Sequence, residues 1–386
     1  MKLASHDKCT GCMACMQACK HHCISSYEDA FGNVYPVIDR AKCLDCGICS
    51  KKCPVQQDIS AKYPQNAYAV WSLNQADRDS SASGGAATVF YNNAIKMGYS
   101  IVGVEFQDRY KVNHVLTSEN TYVSRFKQSK YVYSSSETIF FEVKKELKQK
   151  NVLFISLPCK VAGLLSYLGD YPDNLLTVDI VCHGCPSQKL LQEHIKCVDN
   201  LSRGVKLCFR KDNLYLFELS DIENKSFYKK IGKTDSYVAA FLEGLDFRES
   251  CYICPYAKNE RISDITICDF WGLGKTIPFN HPYSGSISCV LVNTEKGRLF
   301  FNQLNGLIFQ EERPVEEAID GNAQLNYPTH IHPLRSQFEQ LYQDVGFDES
   351  VRIVLKSAMS KEKMNQCISQ IKQPIRRIVK TILGRR

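Results

Sequence analysis

Cys9-Thr10-Gly11-Cys12-Met13-Ala14-Cys15-Met16-Gln17-Ala18-Cys19 and Cys43-Leu44-Asp45-Cys46-Gly47-Ile48-Cys49-Ser50-Lys51-Lys52-Cys53-Pro54 share one spacing, C-x2-C-x2-C-x3-C, the second with a terminal proline. Three thiolates two residues apart wrap a tight loop around one face of a cubane. The fourth, after three residues, starts a helix pointing elsewhere and so ligates the other cluster. The spacing predicts two 4Fe-4S clusters, the first on Cys9, Cys12, Cys15 and Cys53, the second on Cys43, Cys46, Cys49 and Cys19. The competing reading is zinc, which needs only two such pairs per tetrahedral site. Lys20 stands where a proline would complete the first motif, and brings positive charge near the second cluster. Cys23 reads as a buried space-filler, and Phe31–Pro36 as the hairpin between the halves.

Around this head the composition is globular: 386 residues, 44% hydrophobic and 23% charged, enough for more than one core. Apolar runs such as Val152–Ile155 fall far short of the roughly 18 to 20 residues of a membrane-spanning helix. The start, Met1 to Asp7, has no apolar stretch of the kind a signal peptide carries, so a cytoplasmic location is expected. The nineteen cysteines bunch in short-spaced sets, which favours metal over disulfide. Of the net charge of +7, residues 351–386 hold ten Lys or Arg against Glu362 alone, leaving a nearly neutral body with no basic stripe for nucleic acid.

The chain divides into a head, 1–58, a linker, 59–80, a body in two parts, 81–150 and 151–345, and a basic helical tail, 346–386. The body alternates helix and strand: helix Ala86–Met97, strand Ile101–Phe106, helix Ser134–Gln149 with a capping box of Ser134 and Glu137, strand Val152–Ser156, helix Val161–Leu168, strand Leu175–Val181 and helix Ser187–Val198. That order predicts an α/β body with a parallel or mixed sheet. The runs Val205–Phe209, Leu214–Leu219 and Ser226–Ile231 predict an antiparallel insertion.

Cys159 and Cys182 each follow a strand and precede a helix, where open α/β sheets place binding crevices. Cys251 and Cys254, a C-x2-C pair in a loop after helix Ser236–Gly244, complete a set that could hold a third cluster or leave Cys159 and Cys182 as small apolar fillers. Cys197, Cys208, Cys268, Cys289 and Cys367 read as buried fillers. Ser83-Gly84-Gly85 before a helix suits either a phosphate or a plain turn, and His183 either a proton donor or a loop residue. No P-loop, dinucleotide fingerprint or nucleophile elbow occurs.

The head resembles bacterial-type ferredoxins, and the body resembles the beta subunits of coenzyme F420 hydrogenases and dehydrogenases. The second likeness rests on Ser81–Gly85, Ser129–Val132, Leu157–Leu164, Asp179–Gly184, and Cys251–Cys254 leading into Ser263–Gly272, in that order between residues 68 and about 320. It implies an iron–sulfur flavoprotein oxidoreductase: a third 4Fe-4S cluster on Cys159, Cys182, Cys251 and Cys254, and FAD lined by Ser83, Gly84, Gly85, Thr88, Ser129, Lys130 and Tyr131. Lys160, Ser156 and Cys268 depart from the family pattern, with glutamine, glycine and glycine usual there. One-electron clusters need a two-electron store before an organic acceptor can be reduced, and a flavin is one. The expected path runs between a ferredoxin-like donor, the clusters and FAD, with a hydride exchanged with a small organic substrate or a deazaflavin carrier, in either direction. The alternative is an electron-transfer subunit or scaffold with no organic substrate of its own.

In the tail, Ile375, Ile378, Val379, Ile382 and Leu383 recur at helical spacing after Pro374, opposite Arg376, Arg377, Lys380, Arg385 and Arg386. This reads as a short amphipathic helix over 372–386 that either packs on the body or makes a weak, salt-sensitive contact with the anionic inner face of a membrane.

Overall fold

The computed structural model describes residues 2–199, 203–211 and 213–383; the side chains of residue 109 and of residues from 370 on lie outside that description. Two compact units emerge, Met1–Leu190 with Phe247–His330, and Leu191–Asp246 with Ile331–Arg386.

The head supplies β1 (Ile24–Glu28) and β2 (Val34–Ile38), an antiparallel hairpin. Further strands follow in order: β3 (Asn66–Ser72), β4 (Ser100–Phe106), β5 (Val112–Thr117), β6 (Val152–Ser156), β7 (Leu175–Ile180), β8 (Lys206–Lys211), β9 (Leu214–Ser220), β10 (Ser226–Ile231), β11 (Ile265–Asp269), β12 (Ser288–Val292) and β13 (Ile308–Arg313). Eight of them make the mixed sheet of the first unit, in the order β13-β3-β12-β11-β7-β6-β4-β5. Its centre, β11-β7-β6-β4, is parallel, and antiparallel strands flank it on both sides. The run Val152-Leu153-Phe154-Ile155 is buried throughout because helices cover both faces of a central strand. Leu153 and Ile155 pack with Phe90, Val178 and Phe300, whereas Val152 and Phe154 pack with Phe140, Val161 and Leu164.

That second face also takes in Cys12 and Ala14, so the head is part of the body's core. Gly163 permits the approach: a Cβ there would stand 2.9 Å from Cys12 Cβ. This contact corrects the helix expected from Ser134. The helix runs Ile139–Glu146, and its Phe140 and Phe141 N–H groups donate to Gln17 Oε1 of the head, at 2.9 and 3.1 Å. Ser134 is buried, and Ser135 bridges to Asn113 of β5 instead of opening the helix. A cap brought in from residue 17 leaves no signal in the local sequence.

Residues 66–72, read as linker, are β3, paired between β13 and β12. Helix Pro158–Leu168 begins earlier than expected, with Pro158 in its first turn. The insertion forms as a β10-β9-β8 sheet in the second unit. There the imidazole of His194 lies between Asp348 (Nδ1–Oδ1, 2.8 Å) and Asp235 (Nε2–Oδ2, 3.2 Å), all three buried. Asp235 also caps helix Ser236–Glu243 through Val238 N–H and accepts from Tyr228 Oη at 2.8 Å. Burial opposes the imidazolium, but Asp235 and Asp348 outweigh it and raise the His194 pKa to about 9. The last helix, Lys356–Leu383, starts well before Pro374, which lies inside it. The apolar and basic faces expected over 372–386 lie outside the described side chains. Among the described residues no helix is long and apolar enough to cross a membrane.

Candidate functional site

In each head loop two left-handed residues flank the second cysteine: Gly11 (φ 64°) and Met13 (φ 62°) around Cys12, Asp45 (φ 50°) and Gly47 (φ 82°) around Cys46. Such turns aim backbone N–H groups into a concavity that favours negative charge. Short helices Ala14–Ala18 and Ile48–Lys51 follow, and Cys19 and Cys53 come just after them. The fourth cysteine therefore ends a helix instead of starting one, and the helix carries it to the other set. Cys15 feels the thiols of Cys12, Cys9 and Cys53. Cys19, Cys43, Cys46 and Cys49 line a small cavity with Cys23, whose Sγ is 3.3 Å from Cys19 Sγ. Cys23 is buried as expected, but at the thiol site itself.

The second cysteine set converges. Cys159 opens the helix after β6, Cys182 follows β7, and Cys251 and Cys254 lie in and just after the short helix Glu249–Tyr252. All four line one cavity at the carboxyl ends of adjacent parallel strands, and Cys185, absent from the expected set, lines it too. Burial pushes the thiols of Cys159 and Cys251 up to about 12 and that of Cys182 well above its ordinary value. Thiolates at this depth need compensating positive charge, which a bound iron–sulfur cluster provides; the donor set fits one. Of the five lone fillers, Cys289 is buried, Cys208 and Cys268 are half-buried, and Cys197 and Cys367 are exposed, which corrects the reading of those two.

Thr10, within the first head loop, lines the same cavity, so the loop of Cys9, Cys12 and Cys15 forms one wall of it. Two buried cations join the walls. Lys160 Nζ donates to Gly11 O (2.9 Å) and Ser136 Oγ (3.0 Å) and lies 4.3 Å from the Tyr133 ring centre. Arg248 donates to Cys9 O (3.2 Å) and Val34 O (2.7 Å) and stacks over Tyr35. Lys160 favours the thiolates of both Cys9 and Cys159, and Arg248 those of both Cys9 and Cys251. Lys160 thus acts on the head as well as on the cavity. A third buried cation, Arg261, pairs with Asp179 (2.7 Å) and donates to the carbonyls of Tyr256 (2.9 Å) and Lys258 (3.0 Å), which fixes the loop after Cys254. None of these roles is visible in local spacing, since each partner is remote in sequence.

The two segments expected at a flavin also lie side by side. Lys127 Nζ reaches Asp77 Oδ1 and Ser80 Oγ, each at 2.8 Å, and Gln128 donates to Ser80 O. Ser83 Oγ is 3.2 Å from Ser288 Oγ, and Thr88 Oγ1 is 3.2 Å from Ser81 Oγ. Gly84 is required by packing, since a Cβ would stand 2.4 Å from Val70 O; Gly85 adopts φ 90° at the start of helix Ala86–Lys96. Lys130 Nζ donates to the carbonyls of Phe126, Lys127 and Gln128, and burial, against the pull of Glu105, lowers its pKa to about 7. Ser129 and Tyr131 are half-buried beside it. The glycines and the lysine are thus satisfied by the protein itself, and the fit to a flavin is partial. His183 lines the thiol cavity, where Thr329 Oγ1 donates to its carbonyl and Phe247 packs edge-on against its ring.

Residues 8–57 match the 4Fe-4S dicluster domain, and residues 149–317 match the family described as the C terminus of the coenzyme F420 hydrogenase/dehydrogenase beta subunit. The second match contains all four cavity cysteines but neither Ser81–Gly85 nor Ser129–Val132. No curated protein matches. Among solved structures, a chain of the F420-reducing NiFe hydrogenase complex from Methanosarcina barkeri is 15% identical, with a TM-score of 0.48, over 80% of this chain and 96% of that one. The chain therefore carries a 4Fe-4S dicluster domain over residues 8–57 and, over residues 149–317, a segment that matches the C terminus of the coenzyme F420 hydrogenase/dehydrogenase beta subunit.

Proposed function

We propose that the chain is an oxidoreductase subunit that moves electrons between the two head clusters and a third 4Fe-4S cluster held by Cys159, Cys182, Cys251 and Cys254. The observation that carries this reading is the convergence of those four cysteines on one cavity walled by the first head loop. Bound clusters supply one-electron transfer. The protein's part is to bury the thiols, to offset their charge with Lys160 and Arg248, and to hold head and body in register through Gly11 O and Cys9 O.

A finer reading adds FAD along Ser83–Gly85, Thr88 and Ser129–Tyr131, with a hydride exchanged with a small organic acceptor or deazaflavin and a ferredoxin-like redox partner at the head. It is supported by the adjacency of those segments. The alternative, an electron-transfer subunit without an organic substrate, is favoured by the internal satisfaction of Gly84, Gly85 and Lys130. Iron, sulfide and flavin analysis of one anaerobically purified sample separates the readings. About twelve irons per chain with flavin supports the full scheme, about twelve without flavin the electron-transfer subunit, and about eight overturns the third cluster.

A further inference from the structure

Tyr256 follows Cys254 by two residues and is 7% exposed. Its ring packs in the core that also holds Cys12 and Ala14 of the head, with Cys159 and Cys254 against that core. Its side chain lines the thiol cavity. The hydroxyl is enclosed and has no hydrogen-bond partner among the described residues. Buried donors are almost always paired, so an orphan one marks a missing acceptor. The thiol groups that bear on this oxygen are those of Cys12, Cys159, Cys254 and Cys53, two of the first head set and two of the cavity set. The loop cannot easily turn the ring away, because Arg261 holds the Tyr256 carbonyl at 2.9 Å and is itself locked to Asp179.

We infer that the Tyr256 hydroxyl donates a hydrogen bond to sulfur at the cavity set of Cys159 and Cys254, and is a positioning residue that raises the reduction potential of the cluster there. The acceptor is a thiolate or sulfide sulfur, the one chemistry around the hydroxyl that the chain alone leaves incomplete. A donor to cluster sulfur stabilises the more negative, reduced state and so raises the potential. The inference rests on the third cluster proposed above. The phenol stays intact throughout and no electron passes through it.

The test is an EPR-monitored redox titration of the anaerobic full-length protein and of Tyr256→Phe, which removes one oxygen and keeps the ring. With iron content equal in the two, the signal abolished by Cys159→Ala is expected to titrate at a lower potential in Tyr256→Phe, while the second head cluster stays unmoved. Pulsed ENDOR on the reduced wild-type protein gives an independent reading: an exchangeable proton coupled to that signal is expected, and is absent in Tyr256→Phe. An unmoved potential, or no exchangeable proton in the wild type, overturns the inference. So does a shift confined to a head signal. A wild-type protein with only about eight irons overturns the third cluster as well, which distinguishes the two failures.

Discussion

The second head set and the cavity set hold the same ligand type in opposite ways. Cys43, Cys46 and Cys49 come from one loop; Cys46 is exposed and Cys43 half-buried. Cys159, Cys182, Cys251 and Cys254 come from three separate segments, are all half-buried, and share the cations Lys160 and Arg248 with the first head loop. The head set is built by local backbone geometry, with left-handed residues on either side of Cys46, so it needs little from the rest of the fold. The cavity set exists only if β6, β7 and the loop after Glu249–Tyr252 are all in place. One is a motif, the other a product of tertiary structure.

The sharpest break is to remove ligands from each. Cys254→Ala or Cys159→Ala is expected to lose about four of about twelve irons while the head signals persist, and Cys46→Ala to remove a head signal and leave the cavity set. Iron analysis with EPR checks this. Full iron in either cavity variant rejects that ligand, and one zinc per chain with unchanged visible absorbance points to a structural zinc instead.

The next break leaves every thiol intact. Arg261 and Asp179 are 2% and 0% exposed and form a buried pair, so Arg261→Met strands the carboxylate and is expected to destabilise the first unit by about 3–5 kcal/mol. It should also release the loop of Cys254 and Tyr256, losing cavity iron before head iron in a urea titration. Simultaneous loss of all iron shows that the two sets are not independent.

This contrast also explains what the sequence could tell. The head was legible because three ligands of each set lie within a few residues of one another and the fourth follows at fixed spacing in the other motif. Of the cavity cysteines, Cys159 and Cys182 were singled out by the rule that α/β sheets bind ligands at strand carboxyl ends and Cys251 and Cys254 by their C-x2-C spacing, and the family resemblance favoured the four as one ligand set. The roles of Lys160 and Arg248 were missed because their partners are far away in the chain, and the cap of helix Ile139–Glu146 was misplaced because Gln17 supplies it. β3 was lost to a linker although Ala67-Tyr68-Ala69-Val70-Trp71 has strand composition, since Pro64 and the polar run from Asn74 outweighed it.

A region with no proposed cluster provides the reference. In the second unit His194 has a pKa of about 9, above the ordinary value of roughly 6.5 in the unfolded chain. The sign follows: its contribution, at most about 3 kcal/mol, is fully present below about pH 6.5 and is lost as pH rises through about 9. Amide protection of helix Ser236–Glu243, corrected for intrinsic exchange, should fall between pH 7 and pH 10, and His194→Gln should flatten that fall. Protection that rises with pH contradicts the charged-imidazole account.

The smallest effect is the most diagnostic, because it concerns the charge shared between head and cavity. Lys160 is 1% exposed and none of its described contacts is a carboxylate, and its charge bears on the thiols of Cys9 and Cys159 as well as on buried His114 and Tyr133. Lys160→Gln keeps a donor for Gly11 O and removes the charge. Coulomb interaction at an effective dielectric near 20 is then weakened by on the order of 1–2 kcal/mol, equivalent to a fall of roughly 40–90 mV for a one-electron couple. The fall should appear in both the first head cluster and the cavity cluster, since one ammonium serves both. The second head cluster, in its own cavity with Cys23, is the internal reference. If only one of the two potentials moves, Lys160 belongs to a single site. If all three move together, the change is global, and the charge coupling argued from Gly11 O and Cys159 is wrong.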